Sequence, residues 1–377
     1  MVFLPSVLAF ATTAISLASA HPHLAPGDPE LLKRQEFQQK ARRSLGDCQA
    51  ELSKRGGVYE RGIARRAALA AQAREARALR RDAPYLKRDL GDVLNTDHHS
   101  NLTGVTNSTD AATLFSGNSS CVLGPETTQG PYYVNGEYVR WDIREDQAGV
   151  DLYTDIQLID VNTCEPAAGI YVDFWHANAT GVYSGVVAGG NGNSADESNL
   201  DKTWLRGLQA TDDEGVAQWL SIFPGHYTSR ATHVHILAHQ NGTFFDNGTF
   251  VSDEVSHVGQ IFYDQALITE VELTEPYVSN TQKLTTNEDD GILSQEAEEG
   301  IDPVVEYVYL GEDVSDGLMT WVALGIDTTV FYEVRAAATL TEDGGVANPN
   351  SGGGGGGPPP SGSGSASGAP PSASPSA

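Results

Sequence analysis

The chain has 377 residues, 40% of them hydrophobic, which is enough for one to three domains with sizeable cores. Residues 21–88 carry 16 Lys and Arg against 8 Asp and Glu, whereas residues 89–377 carry 7 against 42. An acidic body of this kind repels polyanions, which argues against nucleic acid as a partner.

The first twenty residues predict a signal peptide. They form a short apolar run that ends in Ala18-Ser19-Ala20, a pattern typical of signal peptidase sites. We therefore expect a secreted, extracellular protein. No later apolar run has the length of a membrane span, and no lipid-anchor signal is recognisable, so no membrane anchor is expected. Six Asn-x-Ser/Thr sequons predict glycosylation at Asn101, Asn107, Asn118, Asn178, Asn241 and Asn247.

Three cysteines occur in the chain. Cys121 and Cys164 flank the start of the strand-rich region, and in an oxidising compartment we expect them to form a disulfide. Cys48 would then be free or would bridge to another chain. The alternative is that all three cysteines are small buried hydrophobic residues.

Residues 21–88 predict a short, basic, helical N-terminal segment. Apolar residues recur at spacings of three and four between Phe37 and Leu52, and an Ala- and Arg-rich run extends from Ile63 to Arg81. The segment also contains dibasic pairs such as Arg65-Arg66, which are either processing sites of a propeptide or the solvated face of a helix. The composition leaves both removal and retention of the segment open.

Residues 89–349 predict an all-β domain with the architecture of a β-sandwich. Segments rich in β-branched and aromatic residues alternate with Gly, Asn and Asp turns. The predicted strands are 155–161, 170–175, 215–223, 232–238, 260–263, 304–310, 318–326 and 330–335. Residues 350–377 are rich in Gly, Pro and Ser and predict a disordered tail.

The segment from Pro224 to His235 carries the strongest chemical signal. Side chains two apart on a strand point to the same side, so His233 and His235 would present two imidazoles together. This is half of a metal site, and imidazole suits zinc, copper, iron and nickel alike. Tyr227, and Tyr183 at the end of a second strand-to-turn segment, are the candidates for further ligands.

Several motifs occur in the order in which they are found in one enzyme family. These motifs are Gly130-Pro-Tyr132, Val172-Asp-Phe-Trp-His-Ala-Asn-x-x-Gly-x-Tyr-Ser184, Arg206-Gly207, Thr211-Asp-x-x-Gly215, Phe223-Pro-Gly-x-Tyr227 and Arg230-x-x-His-x-His235. With these motifs in this order, the chain resembles the intradiol ring-cleavage dioxygenases, and most closely their secreted fungal branch. The resemblance covers roughly Cys121 to Tyr263.

The resemblance implies an oxidoreductase that cleaves catechol-type diols between the two hydroxyl-bearing carbons. Both atoms of O2 enter a muconate-type product. It also implies homodimers built through the helical N-terminal segment, whereas removal of residues 21–88 would favour a monomer.

The resemblance further implies the residues of the site. Tyr183, Tyr227, His233 and His235 match the protein ligands of a non-haem Fe(III) ion. Tyr227 matches the ligand that leaves the metal and acts as a base. Arg230 matches a catalytic and substrate-binding arginine, and Gln260 matches a substrate-binding glutamine.

Two other kinds of function remain open on the sequence. One is a zinc or copper enzyme that uses the His-x-His pair, and the other is a non-catalytic secreted β-sandwich that binds aromatics or glycans. Two tyrosinates are hard anionic donors that suit ferric iron. Zinc prefers nitrogen, sulfur and carboxylate ligands. The sequence does not decide which diol is the substrate.

Overall fold

Two β-sheets packed face to face form the body of the protein. The computed structural model describes residues 48, 52, 57–79, 120–122, 131–188, 190–193, 195–252, 254–298, 302–334 and 336–348. The strands in these residues are β1 (Ser120–Val122), β2 (Val134–Asn135), β3 (Glu137–Tyr138), β4 (Asp151–Asp160), β5 (Glu165–Pro166), β6 (Tyr171–Trp175), β7 (Arg206–Ala210), β8 (Val216–Ile222), β9 (His233–His239), β10 (Thr243–Phe244), β11 (Thr249–Val251), β12 (Glu254–Phe262), β13 (Glu306–Tyr309), β14 (Leu318–Ile326), β15 (Tyr332–Glu333), β16 (Ala338–Thr341) and β17 (Gly344–Ala347).

The two main sheets differ in topology. In the first sheet, β4 and β14 run parallel at the centre, β1 and β13 pair with β14, and β8 and β5 pair with β4. In the second sheet, the order is β15-β12-β9-β6-β7 and every pairing is antiparallel. Two three-stranded sheets, β10-β11-β3 and β17-β16-β2, complete the arrangement.

The main core lies between the two large sheets. Val234 and Ile236 of β9 pack in one apolar cluster with Phe174 of β6 and with Trp219 and Val322 of the first sheet. Because side chains alternate along a strand, the odd-numbered residues of β9 point to the opposite face of the second sheet. Burial of each large apolar side chain contributes about 1.5–3 kcal/mol. The core therefore holds β9 rigidly and leaves its other face for His233 and His235.

The predicted β-sandwich is confirmed, and most of the predicted strands lie within one or two residues of those observed. The strand β12 is longer than expected, because it begins at Glu254 and not at Gln260. Two short helices in the body, α2 (Gln265–Val271) and α3 (Gly291–Glu298), were not predicted. None of the helices in the described residues has the length and apolarity of a membrane span.

One N-terminal helix, α1 (Val58–Ala76), packs on the first sheet. Its buried residues Leu69 and Ala73 lie in an apolar cluster with Trp321 of β14. The dibasic pair Arg65-Arg66 is bound to the fully buried carboxylate of Asp155, with N–O distances of 2.9 and 3.6 Å. This pair is therefore neither a solvated helix face nor an accessible processing site in the folded protein. The chain's other dibasic pairs considered as processing sites lie outside the described residues: Lys33-Arg34, Lys54-Arg55, Arg80-Arg81 and Lys87-Arg88.

The predicted disulfide between Cys121 and Cys164 is wrong, because Cys164 pairs with Cys48. Cys121 lies opposite Leu324 of β14, which in turn lies opposite Leu158 of β4. Cys121 is thus two strands, or about 10 Å, away from β4, whose following turn carries Cys164. A disulfide requires Cα atoms closer than about 7 Å. The observed Cα–Cα distance between Cys48 and Cys164 is 5.0 Å, so Cys48 is neither free nor bound to a second chain.

The disulfide joins the N-terminal segment to the β-body across 116 residues. Closing a loop of this size restricts the unfolded chain, so Cys48→Ser is expected to lower the free energy of unfolding by about 2–5 kcal/mol. Urea denaturation without reductant measures this change. Cys121→Ser is the matched control and should retain the cross-link in a non-reducing peptide map. Loss of the cross-link in the control would contradict the pairing.

Candidate active site

The strand β9 places two imidazoles on the outer face of the second sheet. His233 and His235 are both buried, and their Nε2 atoms lie 3.1 Å apart. Trp175 on β6 lies opposite His235 in the register, and its ring stacks on the imidazole at 4.8 Å with an angle of 5° between the planes. The even-numbered neighbours of the two histidines are in the core, so the strand cannot rotate without loss of packing.

Two turns bring the tyrosines to the same place. Tyr183 ends the turn after β6, and Tyr227 lies in the turn after β8. The two turns are in direct contact, since a Cβ at Gly225 would lie 2.3 Å from the carbonyl oxygen of Asn178. Gly181, with φ +77°, would collide in the same way with the carbonyl of His226. Glycine at these two positions is what lets both phenols reach the histidines.

The four predicted ligand side chains form one buried cluster. The hydroxyl oxygen of Tyr183 lies 3.5 Å from Nε2 of His233, and that of Tyr227 lies 3.3 Å from the same atom. Nitrogen and oxygen ligands bind a metal ion at about 2 Å, so donor atoms separated in this way can contact one common ion. No group of three or more His, Cys, Asp or Glu side chains in the described residues could hold a metal ion. The cluster depends on its two tyrosines.

The chemistry of the donors fits a metal ion. The ring of His233 is oriented by its Nδ1, which lies 2.6 Å from the backbone carbonyl of Ala231. If Nδ1–H donates to this carbonyl, Nε2 presents its lone pair to the cluster. Burial raises the pKa of Tyr183 well above its usual value, and the charge of Tyr227 raises it further. Two such phenolates in a buried site need a cation for compensation.

A buried ion pair stands beside the cluster. Arg230 donates from Nε to Oδ2 of Asp290 at 2.8 Å and from Nη2 to Oε1 of Gln260 at 2.5 Å. Gln260 lies opposite His235 on β12, so it shares the face of the ligands. Burial opposes ionisation of Asp290, but Arg230 and the backbone N–H groups of Ala231 and Leu293 hold its pKa below the usual value.

The turn that carries Tyr183 is fixed from behind by polar side chains. The amide of Asn191 accepts a hydrogen bond from the backbone N–H of Tyr183 at 2.8 Å and donates to its carbonyl at 2.9 Å. Asn199 donates to the same carbonyl at 2.7 Å. Arg206 donates from Nη2 to the carbonyls of Ser184 and Tyr132, both at 2.7 Å. These contacts hold the phenol of Tyr183 in position with little freedom.

Sequence reasoning did not assign a role to Tyr132 or Asp290. Tyr132 stacks on Tyr183 with ring centroids 4.7 Å apart. In the sequence it is distinguished only as the last residue of the Gly130-Pro-Tyr132 motif. Asp290 is fully buried and directly precedes α3, where its carboxylate accepts hydrogen bonds from the N–H groups of Ile292 and Leu293. An aspartate before an apolar run is a signal for a helix start. Its pairing with Arg230, 60 residues earlier in the chain, cannot be predicted from the local sequence pattern.

A second buried charge network supports the same turn. Arg206 donates from Nη1 to Oε1 of Glu137 at 2.9 Å, and Glu137 and Asp173 are both buried. Burial, followed by the charge of Asp173, raises the pKa of Glu137 well above its usual value. Burial also raises the pKa of Asp173 to about 7. Burial therefore disfavours the charged form of both carboxyls, and Arg206 balances the negative charge that remains.

The pair makes stability depend on pH. Asp173 titrates near pH 3.9 in the unfolded chain and at about 7 in the folded protein, so the folded protein binds an extra proton between these values. The free energy of unfolding should fall as pH rises from about 4 to about 7, and Asp173 contributes about 1.4 kcal/mol per pH unit to this slope. Asp173→Asn is expected to remove this contribution.

Urea denaturation of the wild type and of Asp173→Asn at several pH values measures the difference. Asp213→Asn removes an exposed carboxylate and is the matched control, which should keep the wild-type slope. An Asp173→Asn protein whose stability follows the wild-type pH profile would contradict the raised pKa of Asp173.

The predicted glycosylation sites have different environments. Asn241 and Asn247 are exposed, whereas Asn178 is half-buried and donates from Nδ2 to Oε1 of Gln147 at 3.1 Å. A glycan on Asn178 would compete with this hydrogen bond, while the two exposed sites have room for one. The sequons at Asn101, Asn107 and Asn118 lie outside the described residues. Glycosylation stays a prediction at all six.

Comparison with known proteins finds one family model that matches part of the chain. Residues 124–243 match the family model Dioxygenase_C, described as dioxygenase, and this span contains all four clustered side chains. A search of curated proteins found no match.

Several solved structures are similar. An intradiol ring-cleavage dioxygenase from Tetranychus urticae is 28% identical, with 56% of this chain and 95% of that chain covered and a TM-score of 0.43. The dioxygenase domain of a dioxygenase carbohydrate-binding protein fusion from Streptomyces sp. SirexAA-E is 19% identical, with 54% and 97% covered and a TM-score of 0.35. Catechol 1,2-dioxygenase from Pseudomonas arvilla C-1 is 20% identical, with 54% and 63% covered and a TM-score of 0.33.

The expected place in the secreted fungal branch stays a prediction. The family match coincides with the segment that bears the predicted motifs in order. Residues 124–243 are therefore similar to a dioxygenase family within the segment that carries the clustered side chains.

Proposed function

We propose that the protein is a secreted Fe(III)-dependent dioxygenase that cleaves catechol-type diols between their two hydroxyl-bearing carbons. Secretion is supported by the signal-peptide pattern of residues 1–20. Cleavage of a diol is supported by the family match and by the similarity to proteins that include a catechol 1,2-dioxygenase. Both atoms of O2 enter the muconate-type product, so the reaction needs no external reductant.

The observation that carries the proposal is the meeting of two phenols and two imidazoles. Tyr183, Tyr227, His233 and His235 come from three separate segments and all are buried, and the donor atoms of the other three lie 3.1–3.5 Å from Nε2 of His233. Two tyrosinate oxygens and two neutral nitrogens are a donor set that stabilises ferric over ferrous iron. These four residues would hold the ion. When bound, ferric iron would draw electron density from a chelated diol and make its ring carbon reactive towards O2.

Tyr227 is the proposed base. A diol that binds through both oxygens must lose two protons, and a phenolate at Tyr227 can accept one of them at its hydroxyl oxygen. Burial raises the pKa of this hydroxyl, although the charge of Arg230 lowers it in part. A proton taken up there is therefore held firmly. Tyr183, whose turn is fixed by Asn191 and Asn199, is the phenol that stays in place.

Arg230 is the proposed electrostatic residue. Its guanidinium remains protonated, is buried and lies beside Tyr227, with which it forms a β-bridge. A fixed cation at this position stabilises negative charge that develops on the diol as its ring opens. Gln260, which accepts a hydrogen bond from Arg230, is placed to orient the same substrate.

Oxygen uptake by the iron-loaded protein with catechol, hydroxyquinol and 3,4-dihydroxybenzoate tests the proposal, with mass spectrometry of the product. We expect one O2 consumed per diol and a dicarboxylic acid with an opened ring. Iron content separates this function from the two alternatives. A protein that carries zinc or copper and consumes no diol, or one that binds aromatics or glycans without turnover, would contradict it.

A further inference from the structure

Arg230, the cation beside the donor cluster, is already paired with a carboxylate of the protein. Arg230 and Asp290 form a buried ion pair, with side chains 4% and 0% exposed. The second guanidinium contact, from Nη2 to Oδ1, is 3.5 Å long. Asp290 also accepts hydrogen bonds from three backbone N–H groups, which anchor it at the start of α3. The carboxylate is thus ionised and immobile, and the ion pair carries no net charge, so Arg230 acts on the diol oxygens at short range and offers no free cation to a carboxylate elsewhere on the ring.

None of the other described Lys and Arg side chains of the body can take the place of Arg230 as a cation for a substrate carboxylate. Arg206 is bound to Glu137 and to backbone carbonyls behind the turn of Tyr183. Arg140 and Arg144 are paired with carboxylates of the segment 142–151. Lys202 and Lys283 are exposed to solvent, where their charge is screened. None of these side chains forms a second buried cation next to the ligand cluster.

The side chain beside Arg230 is the amide of Gln260, which is a neutral hydrogen-bond donor. Gln260 accepts a hydrogen bond from Arg230 through Oε1, and its Nε2 is buried without a hydrogen-bond partner in the described part of the chain. An amide N–H pairs well with a hydroxyl or phenolate oxygen and carries no net charge. A buried donor of this kind costs free energy until a ligand satisfies it. The site is therefore equipped for the oxygens of a diol and not for an extra carboxylate.

The charge of the whole domain acts in the same direction. Residues 89–377 carry 42 Asp and Glu against 7 Lys and Arg. A field of this sign repels anions and slows their approach to a buried site, with the effect weakening as salt rises. The Arg230–Asp290 ion pair and the negative charge of the whole domain are independent observations, and both disfavour an anionic ligand.

We propose that this site takes uncharged diols, such as catechol or hydroxyquinol, in preference to diols that carry a ring carboxylate, and that Asp290 sets this preference through Arg230. The inference rests on the proposed function, because it concerns the substrate of the same site. Asp290 is a positioning residue here, since it acts on the substrate only through the charge of Arg230.

The test compares kcat/KM for catechol and 3,4-dihydroxybenzoate in the iron-loaded wild type, Asp290→Asn and Glu288→Gln. Asparagine can still accept the helix-capping hydrogen bonds but leaves the buried charge of Arg230 without its carboxylate, so thermal unfolding first checks that the variant is folded. In Asp290→Asn, we expect the ratio of catechol to 3,4-dihydroxybenzoate to fall by about tenfold or more, mainly through a lower KM for the carboxylated diol. Glu288 is an exposed carboxylate two residues away, so Glu288→Gln loses the same charge and should keep the wild-type ratio.

Binding of the unreactive analogues phenol and 4-hydroxybenzoate, measured by calorimetry, gives a readout that does not depend on turnover. The wild type should bind phenol more tightly, and Asp290→Asn should gain affinity for 4-hydroxybenzoate. A wild type that prefers the carboxylated compounds, or a folded Asp290→Asn with unchanged preference, would overturn the inference. If no diol is consumed, the proposed function fails, and the analogue affinities still decide the inference. If Asp290→Asn does not fold, the preference of the wild type decides it alone.

Discussion

Tyr183→Phe and His235→Ala are each expected to abolish iron loading. Each change removes one of four buried donors, three of which lie 3.1–3.5 Å from Nε2 of His233. Loss even of residues that only support metal ligands costs roughly 10–100-fold in affinity, so loss of a ligand should cost about 100-fold or more. The ratio of iron to protein after purification and dialysis measures the effect. Turnover should disappear with the iron.

Two further variants give this experiment its controls. Tyr132→Phe keeps the ring that stacks on Tyr183 and removes a hydroxyl that is not part of the donor cluster, so iron should be retained. Tyr227→Phe should retain more iron than Tyr183→Phe or His235→Ala, because Tyr227 is the proposed ligand that leaves the metal and the other three donors remain. Its turnover is expected to fall by about 100-fold or more, because it lacks the base. Full iron content in His235→Ala would show that the four side chains are not the metal site.

Loss of the Arg230 cation is expected to reduce kcat by about 100- to 1,000-fold while iron remains bound. Removing one partner of a buried ion pair leaves the other charge uncompensated, at a cost of about 3–5 kcal/mol in stability. The informative variant is therefore the double change Arg230→Gln and Asp290→Asn, in which neither charge remains. Its kcat is compared with that of Asp290→Asn alone, so that the difference reports the cation.

Iron content and thermal unfolding of both proteins complete the measurement. Arg230 contacts Asp290 and Gln260 and is not one of the four clustered donors, so iron content should be equal in the two proteins. A double variant that loses its iron would show that Arg230 is needed for metal binding. A double variant with the same kcat as Asp290→Asn would show that the Arg230 cation does not contribute to catalysis.

Local patterns were sufficient for the strands that form the floor of the site. β9 alternates buried apolar residues with His233 and His235, and β14 is a continuous apolar run between turn residues. Both patterns follow from the packing of a sheet on one or two faces. The strand β12 was predicted only in part, because Ser256, His257 and Gly259 interrupt its β-forming residues and the register shifts near Val255.

Contacts between distant segments could not be predicted in the same way. The helices α2 and α3 have seven and eight residues, too short for a clear helical period. The partner of Cys164 depends on where α1 and the preceding segment dock, which spacing alone does not determine. Asp290 became part of the site only through the position of α3. The donor cluster was predicted because all four residues lie within recognisable motifs.

The visible absorption spectrum of the purified, iron-loaded protein tests the central claim most directly. Two tyrosinates bound to ferric iron should give a tyrosinate-to-iron charge-transfer band. Anaerobic addition of catechol should shift this band. Admission of O2 should then reverse the shift as the catechol is converted to a muconate-type product. Tyr183→Phe should lack the band. A colourless protein that contains zinc, or an iron protein whose spectrum is the same in the wild type and in Tyr183→Phe, would contradict the account.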